Sequence, residues 1–246
     1  MILLSMVGEN MKNHKTSVII VAAGNSTRMG GVSKQLIMLN DKETICHTIL
    51  AFQKCDYVNE IIIVCKDDDK IKFEELVKKY CYTKVIGYAV GGDLRSQSVE
   101  NGLNLISEDC DYIAIHDGAR PLVTTEEIES VLKNAYKYKA SALGVNVKDT
   151  IKVVSKDGII ESTPNRNTLI AIHTPQVFEK QMYIEAVKNA KNSKKEFTDD
   201  CSIVEDYGKD IFVTIGSYEN IKITTPEDVD IAVSILKKRN KLIEKG

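Results

Sequence analysis

Short apolar, β-branched runs alternate along the chain with longer stretches whose apolar residues recur every three or four positions. Ser17-Val-Ile-Ile-Val-Ala22 and Glu60-Ile-Ile-Ile-Val-Cys65 are almost unbroken apolar runs, the pattern of strands buried on both faces. Residues 84–90, 112–115 and 142–147 read as three more strands. Between them lie helical patterns. Residues 44–53 carry Ile45, Ile49, Leu50 and Phe52, and residues 69–80 carry Ile71, Phe73, Leu76 and Val77 among charges. Residues 94–106 carry Leu94, Val99, Leu103 and Ile106, and residues 125–138 open with Glu126 and Glu127, where a helix dipole favours anions. Strands alternating with helices of about 10–15 residues predict an α/β fold. The expected form is a Rossmann-like, three-layer domain with a mostly parallel twisted sheet.

The period then changes. Residues 150–155 and 159–162 flank Lys156-Asp157-Gly158, a β-hairpin signal in which Gly158 takes positive φ. A polar hairpin interrupting an α/β series reads as an arm over about residues 148–175, suited to a partner subunit or to a surface flap. The α/β pattern resumes with helices at 179–190 and from Thr198, strands at 211–215 and 220–224, and a last helix opened by Pro226. No internal repeat or linker divides residues 1–246, so a single domain is expected. Residues 1–15 read as a loose leader without the basic start of a secretory signal.

Composition narrows the function classes. Lys and Arg total 33 against 35 Asp and Glu, a net charge of −2, which gives no bulk field for nucleic acid. No apolar run approaches the roughly 18 residues of a membrane span. The six cysteines, Cys46, Cys55, Cys65, Cys81, Cys110 and Cys201, form no C-x-x-C pair. They read as reduced core thiols of a cytoplasmic protein, neither a zinc site nor a disulfide framework.

Ligands of open parallel sheets bind at the carboxyl ends of the strands, so the residues that follow each strand are the candidates. After the first strand comes Ala22-Ala-Gly-Asn-Ser-Thr-Arg28-Met-Gly-Gly-Val-Ser-Lys34-Gln35. Gly24 allows close backbone approach, successive N–H groups can cup an anion, and Arg28 and Lys34 add two positive charges. The loop is neither a P-loop nor a dinucleotide fingerprint. After the third strand, Gly91-Gly92-Asp93…Ser98 could seat a flat base, with Asp93 alternatively capping the next helix. After the fourth come His116, read as a packed side chain, and Asp117, placed to hold Mg²⁺ beside phosphates. Arg120 follows as a phosphate partner or an ion pair organising the loop. Arg166, Thr198-Asp199 and Asn220-Ile-Lys222-Ile-Thr224 add cations and hydroxyls near element ends.

These motifs, with Asp149-Thr150 and Thr174-Pro175-Gln176, occur in an order that resembles the 2-C-methyl-D-erythritol 4-phosphate cytidylyltransferase family over residues 17–233. The resemblance implies a cytidylyl transfer from CTP to a polyol phosphate, with Mg²⁺, in isoprenoid biosynthesis. It also implies a homodimer joined through the arm. It places Arg28, Lys34 and Lys222 at the reacting α-phosphate. Ala22, Ala23, Gly24, Gly92, Asp93, Ser98 and Asp117 would hold the nucleotide, with Asp117 also on the metal. Thr150, Arg166, Thr198 and Arg120 would hold the polyol phosphate, the first two from a neighbouring subunit's arm. The attacking phosphate is already anionic, so the reaction needs placement and charge screening rather than a general base. The sequence departs from the family in having Ser33 where proline often precedes the lysine, Ser26 for a frequent glycine, Ile170 and His173 for an aromatic and a glutamine, and a first loop one residue short. The rival readings are a ribitol-5-phosphate cytidylyltransferase, a sugar-1-phosphate nucleotidyltransferase and a non-catalytic nucleotide-binding module.

Overall fold

The computed structural model describes residues 14–24, 33–193 and 195–243. Arg28 and Ser26 therefore lie outside the described residues, as does most of the leader. The two unbroken apolar runs form β1 (Thr16–Val21) and β4 (Glu60–Cys65), adjacent and parallel at the centre of a seven-stranded sheet. β5 (Val85–Val90), β6 (Tyr112–Asp117), β7 (Ala140–Asn146), β10 (Ile170–Glu179) and β11 (Phe212–Ile215) complete it, in the order β11-β7-β10-β6-β1-β4-β5. Every pairing is parallel except those of β10, which runs antiparallel to both β6 and β7. β2 (Met38–Leu39) and β3 (Lys42–Glu43) form a small ribbon before the first helix.

Successive side chains of a strand point to opposite faces, and the central strands supply apolar residues to both. Val18 and Ile20 of β1, with Ile61 and Ile63 of β4, pack against α1 (Thr44–Lys54), α2 (Asp67–Lys79) and α4 (Thr125–Tyr138). Ile19 and Val64 face the other way, onto α3 (Arg95–Leu103), α5 (Lys180–Asn192) and α6 (Asp200–Asp206). α7 (Pro226–Ile243) closes a smaller cluster over Leu39, Leu122 and Ile223 through Ala232. The expected layered α/β architecture is therefore present, with helices on both faces of a mostly parallel sheet.

Two segments differ from the expectation. Residues 170–179 carry no clear strand pattern, yet form the longest strand of the sheet. Ala171 and His173–Pro175 interrupt the apolar signal, and a register shift between Ile172 and Gln176 lets the strand bend without leaving its place. Residues 220–224, expected as a strand, are irregular, because their polar groups bond to the β6 loop instead of to a ladder. Ile71, counted on the buried face of its helix, is 71% exposed, and Phe73 and Leu76 carry that packing.

The arm is formed by β8 (Val153–Val154) and β9 (Ile160–Ser162), with Gly158 at φ 80° in the turn as expected. Apart from half-buried Ser155, residues 148–163 are all exposed, including Ile151, Val153, Val154, Ile159 and Ile160.

Phe178 of β10 is fully buried and stacks on Tyr183 with ring centroids 5.0 Å apart. Phe178→Ala should lower unfolding free energy by about 3–5 kcal/mol, read from urea titrations. Ile71→Ala should change it by no more than about 0.5 kcal/mol.

Candidate active site

The carboxyl ends of β1, β4, β5 and β6 open into one cleft of about 490 Å³. Ala23 and Gly24 line it after β1, Lys66 after β4, Gly91 to Arg95 after β5, and Asp117 at the end of β6. Lys34, Ser98 and Lys222 complete the set that matters for chemistry. Lys34, Lys222, Ala23, Gly24, Gly92, Asp93, Ser98 and Asp117, expected from the sequence to act together, thus meet in one place.

Asp117 is the centre of the charge arrangement. Its carboxylate is mostly buried, and Lys222 Nζ lies 2.7 Å from Oδ2. Arg95 Nε lies 3.4 Å from Oδ1 and Arg120 Nε 3.8 Å from Oδ2. Burial alone would push the carboxyl pKa up, but the Arg95, Lys222 and Arg120 charges outweigh it and hold the group well below the usual carboxylate range. Arg95 is itself clamped from behind. Its Nη1 donates to Asp200 Oδ2 at 2.6 Å, and the buried Tyr183 hydroxyl donates to Asp200 Oδ1 at 2.7 Å. Burial pulls the Arg95 pKa down, and the two carboxylates more than reverse that, so its charge is permanent.

Lys222 owes its position to the loop that carries it. Ile223 N–H donates to the Ala119 carbonyl, and Arg120 Nη1 donates to the Asn220 carbonyl, both at 2.8 Å. The Asn220 side chain donates to the Thr174 carbonyl at 3.0 Å. The residues expected as a strand thus fasten the lysine to the end of β6. Arg120 is mostly buried in these contacts, the loop-organising alternative, and does not line the cleft.

Beneath the carboxylate, the Thr174 hydroxyl accepts from the Asp117 N–H at 3.0 Å and pairs with His116 Nδ1 at 3.1 Å. His116 Nε2 lies 3.2 Å from the Arg120 carbonyl. The carbonyl can only accept, so this network is satisfied by neutral imidazole with its proton on Nε2. His116 is fully buried, as read from the sequence, and burial lowers its pKa to about 3.

The glycine pair behaves as a close-approach site. A Cβ on Gly91 would stand 2.2 Å from Ala23 Cβ, so only glycine lets the β5 turn meet the β1 loop. Gly92 N–H donates to Ser98 Oγ at 3.1 Å. Asp93 is not the helix cap. Leu94 holds that position, and its N–H donates to Gln97 Oε1 at 3.1 Å, which leaves Asp93 exposed on the cleft.

Other expected residues stand elsewhere. Ala22 is buried and its N–H donates to the Val64 carbonyl at 2.7 Å. Thr198 is exposed before α6, whose cap is Asp199, with Asp199 Oδ1 accepting from Ser202 N–H at 2.9 Å. Thr150 and Arg166 are exposed at the base of the arm, and Arg166 Nη1 donates to the Lys148 carbonyl at 2.7 Å. Neither belongs to the cleft of its own chain. Arg95, Asp200, Tyr183 and Lys66 are given no role by the sequence. Arg95 stands within the glycine motif and Asp200 follows Thr198-Asp199, so both carry a signal, whereas the other two follow only from the tertiary fold.

The family model described as 2-C-methyl-D-erythritol 4-phosphate cytidylyltransferase matches residues 16–238. The chain belongs to that family. It is 43% identical over 224 residues to the 2-C-methyl-D-erythritol 4-phosphate cytidylyltransferase of Caldanaerobacter subterraneus subsp. tengcongensis, covering 90% of this chain and 99% of that protein. Identity to the Clostridioides difficile protein of the same name is 45% over 222 residues, covering 89% and 93%. The crystal structure of 4-diphosphocytidyl-2C-methyl-D-erythritol synthase from Anaerococcus prevotii superposes with a TM-score of 0.83 at 29% identity, covering 91% of this chain and 99% of that one. Family members of this name are nucleotidyltransferases, the class of chemistry that the cleft's cations suit.

His116 generates a pH prediction. The folded state keeps it neutral down to about pH 3, whereas the unfolded chain protonates it near its ordinary value. Its contribution is thus fully present above about pH 6.5 and is lost as pH falls toward 3, with a slope of up to about 1.4 kcal/mol per pH unit. Urea unfolding of His116→Gln between pH 7 and 4.5 should show a correspondingly shallower loss than the parent.

Proposed function

We propose that this chain is a cytidylyltransferase that joins CTP and 2-C-methyl-D-erythritol 4-phosphate into 4-diphosphocytidyl-2-C-methyl-D-erythritol, releasing pyrophosphate, in isoprenoid biosynthesis. The observation that carries the reading is the convergence of Lys34, Arg95 and Lys222 on one cleft that also holds the paired glycines and Asp117. A phosphate oxygen of the polyol phosphate attacks the α-phosphorus of CTP. The new P–O bond forms as the α–β bridging bond breaks, and its electron pair leaves with pyrophosphate. The nucleophile is already an anion, so no proton must be removed, and the task is to bring two anions into line. No histidine or cysteine is among the described residues of the cleft. Lys34 and Lys222, with Arg28 from the first loop, are the groups assigned to the reacting phosphate. Arg95 acts on Asp117 and so positions Lys222. Ala23 and Gly24 with Gly92, Asp93 and Ser98 are assigned to the nucleoside end.

A divalent cation, Mg²⁺ in this proposal, needs hard oxygen donors and usually takes only one or two carboxylates when phosphates supply the rest. Among the described residues no group of three His, Cys, Asp or Glu could hold a metal alone. The cleft does present one ionised, mostly buried carboxylate, Asp117, which fits that donor set. Asp117 is the residue that would hold the cation, which would supply charge screening between the phosphates.

The arm supports a homodimer. It exposes Ile151, Val153, Val154, Ile159 and Ile160 on a two-stranded ribbon that is marginal alone. Thr150 and Arg166, outside their own chain's cleft, are assigned to the polyol phosphate bound by a second copy, with Thr198 on the side of the first, while Arg120 organises the loop that carries Lys222. No described helix is long and apolar enough to cross a membrane. The six cysteines are unpaired, which suits a reducing cytoplasm, and all are buried core thiols except Cys81, which is exposed. Nucleic acid is not among the assigned partners.

Pyrophosphate release should be seen with CTP and 2-C-methyl-D-erythritol 4-phosphate and fall away with UTP or with ribitol 5-phosphate. Preference for ribitol 5-phosphate would reassign the acceptor. Lys34→Ala should reduce kcat on the order of 10²–10³-fold with an unchanged melting temperature. Inactive Lys34→Ala and Arg166→Ala chains, mixed and allowed to exchange, should regain part of the activity through mixed dimers. No regain would mean that each site is built from one chain.

A further inference from the structure

Lys66 is the residue immediately after β4, and it lines the same cleft as Lys34 and Lys222. Its place in the sheet sets it apart from Lys222. In the strand order β6-β1-β4, β1 separates Lys66 from Asp117, a distance of about 10 Å at the usual strand spacing. Lys66 therefore enters from the opposite flank to the Asp117–Lys222 pair. Lys34 is fixed on the Lys66 side. Ser33 Oγ donates to Asp69 Oδ2 at 3.2 Å, and Asp69 N–H donates to the Lys66 carbonyl at 3.1 Å. Two hydrogen bonds thus tie the residue before Lys34 to the turn that begins at Lys66. Ser33 here makes by a side-chain bond to α2 a restraint that a proline would make by its ring.

The charges differ in state as well as position. Lys222 and Arg95 are engaged with Asp117 and Asp200. Lys66 is half-buried, and among the described residues no carboxylate lies within 4 Å of its ammonium group. Asp67, Asp68 and Asp69 follow it in the first turn of α2 and complement the helix dipole there. A half-buried lysine without a carboxylate partner, on the rim of a polyanion site, is suited to pair with a phosphate.

We propose that Lys66 binds the β- and γ-phosphates of the nucleotide, the part that leaves as pyrophosphate. The inference rests on the nucleotidyl-transfer reading and adds a residue to it. It divides the cleft's cations into two groups. Lys222 serves the α-phosphate from the β6 flank, and Lys66 holds the departing end from the β4 flank.

Calorimetric titration of the full chain with CTP, CMP and inorganic pyrophosphate tests the division. Lys66→Ala should weaken CTP and pyrophosphate about tenfold and leave CMP, which lacks both distal phosphates, unchanged. Lys66→Arg should restore most of the CTP affinity. Lys70→Ala removes the same charge from the same helix outside the cleft and should leave all three titrations unchanged. Unaltered CTP affinity in Lys66→Ala, equal weakening of CMP, or an equal effect of Lys70→Ala would each overturn the proposal. A parent chain that bound none of the three would instead overturn the nucleotidyl-transfer reading and this inference with it.

Discussion

A carboxylate at the end of a buried strand must be neutralised, and the rest of this site follows from how that is done. Asp117 terminates β6, with neighbours on both sides and its amide satisfied by Thr174. Left alone there, its charge would be expensive to desolvate. Three cations from three parts of the chain answer it: Arg95 from the start of α3, Arg120 from the β6 loop, and Lys222 from the loop before α7. Satisfying one buried anion thereby gathers positive charge at the mouth of the sheet. Each cation is itself restrained, Arg95 by Asp200 and Tyr183, and Lys222 by the bonds of Asn220 and Ile223. A charge held in place before the ligand arrives needs no reorganisation when the reaction occurs, and this gives electrostatic catalysis its size.

The antiparallel strand β10 links the core to this arrangement. Val177 and Phe178 anchor it in the two faces of the sheet. A few residues earlier, Thr174 and Gln176 turn polar groups toward Asp117 and the start of α6. Gln176 Oε1 accepts from the N–H groups of Asp200 and Cys201, and its Nε2 donates to Asp199. α6 is thus set in position, and with it the Asp200 carboxylate that clamps Arg95. The same strand carries the chain back from the arm, so the arm and the reaction centre share one element.

The elements of the fold and the residues of the site differ in how legible they are in the sequence. β1, β4 and β6 could be read because strands covered on both faces have a nearly unbroken apolar sequence. β10 could not, because His173-Thr174-Pro175 breaks its pattern and those residues serve the site more than the ladder. Residues 220–224 misled for the converse reason, since an apolar alternation there supports loop anchoring. Loop residues such as Gly91, Asp93 and Lys34 were legible because ligand sites in such sheets follow the strands. Arg95 and Asp200 stand 105 positions apart, and no local pattern could join them. Lys66 was hidden among the charges of the α2 start, where a lysine reads as solvated surface.

A buried carboxylate fixes Lys222, and the Ser33–Asp69 bond holds the residue before Lys34, so lysines distant in sequence meet at one cleft. A crystal structure of the chain with CTP tests it most directly. Lys34 and Lys222 should lie within about 3 Å of oxygens on the α-phosphate, the ordinary reach of a charged hydrogen bond, with the base against Gly91 and Gly92. A triphosphate lying across another face of the molecule, or Lys34 and Lys222 directed at unrelated surfaces in the complex, would contradict it.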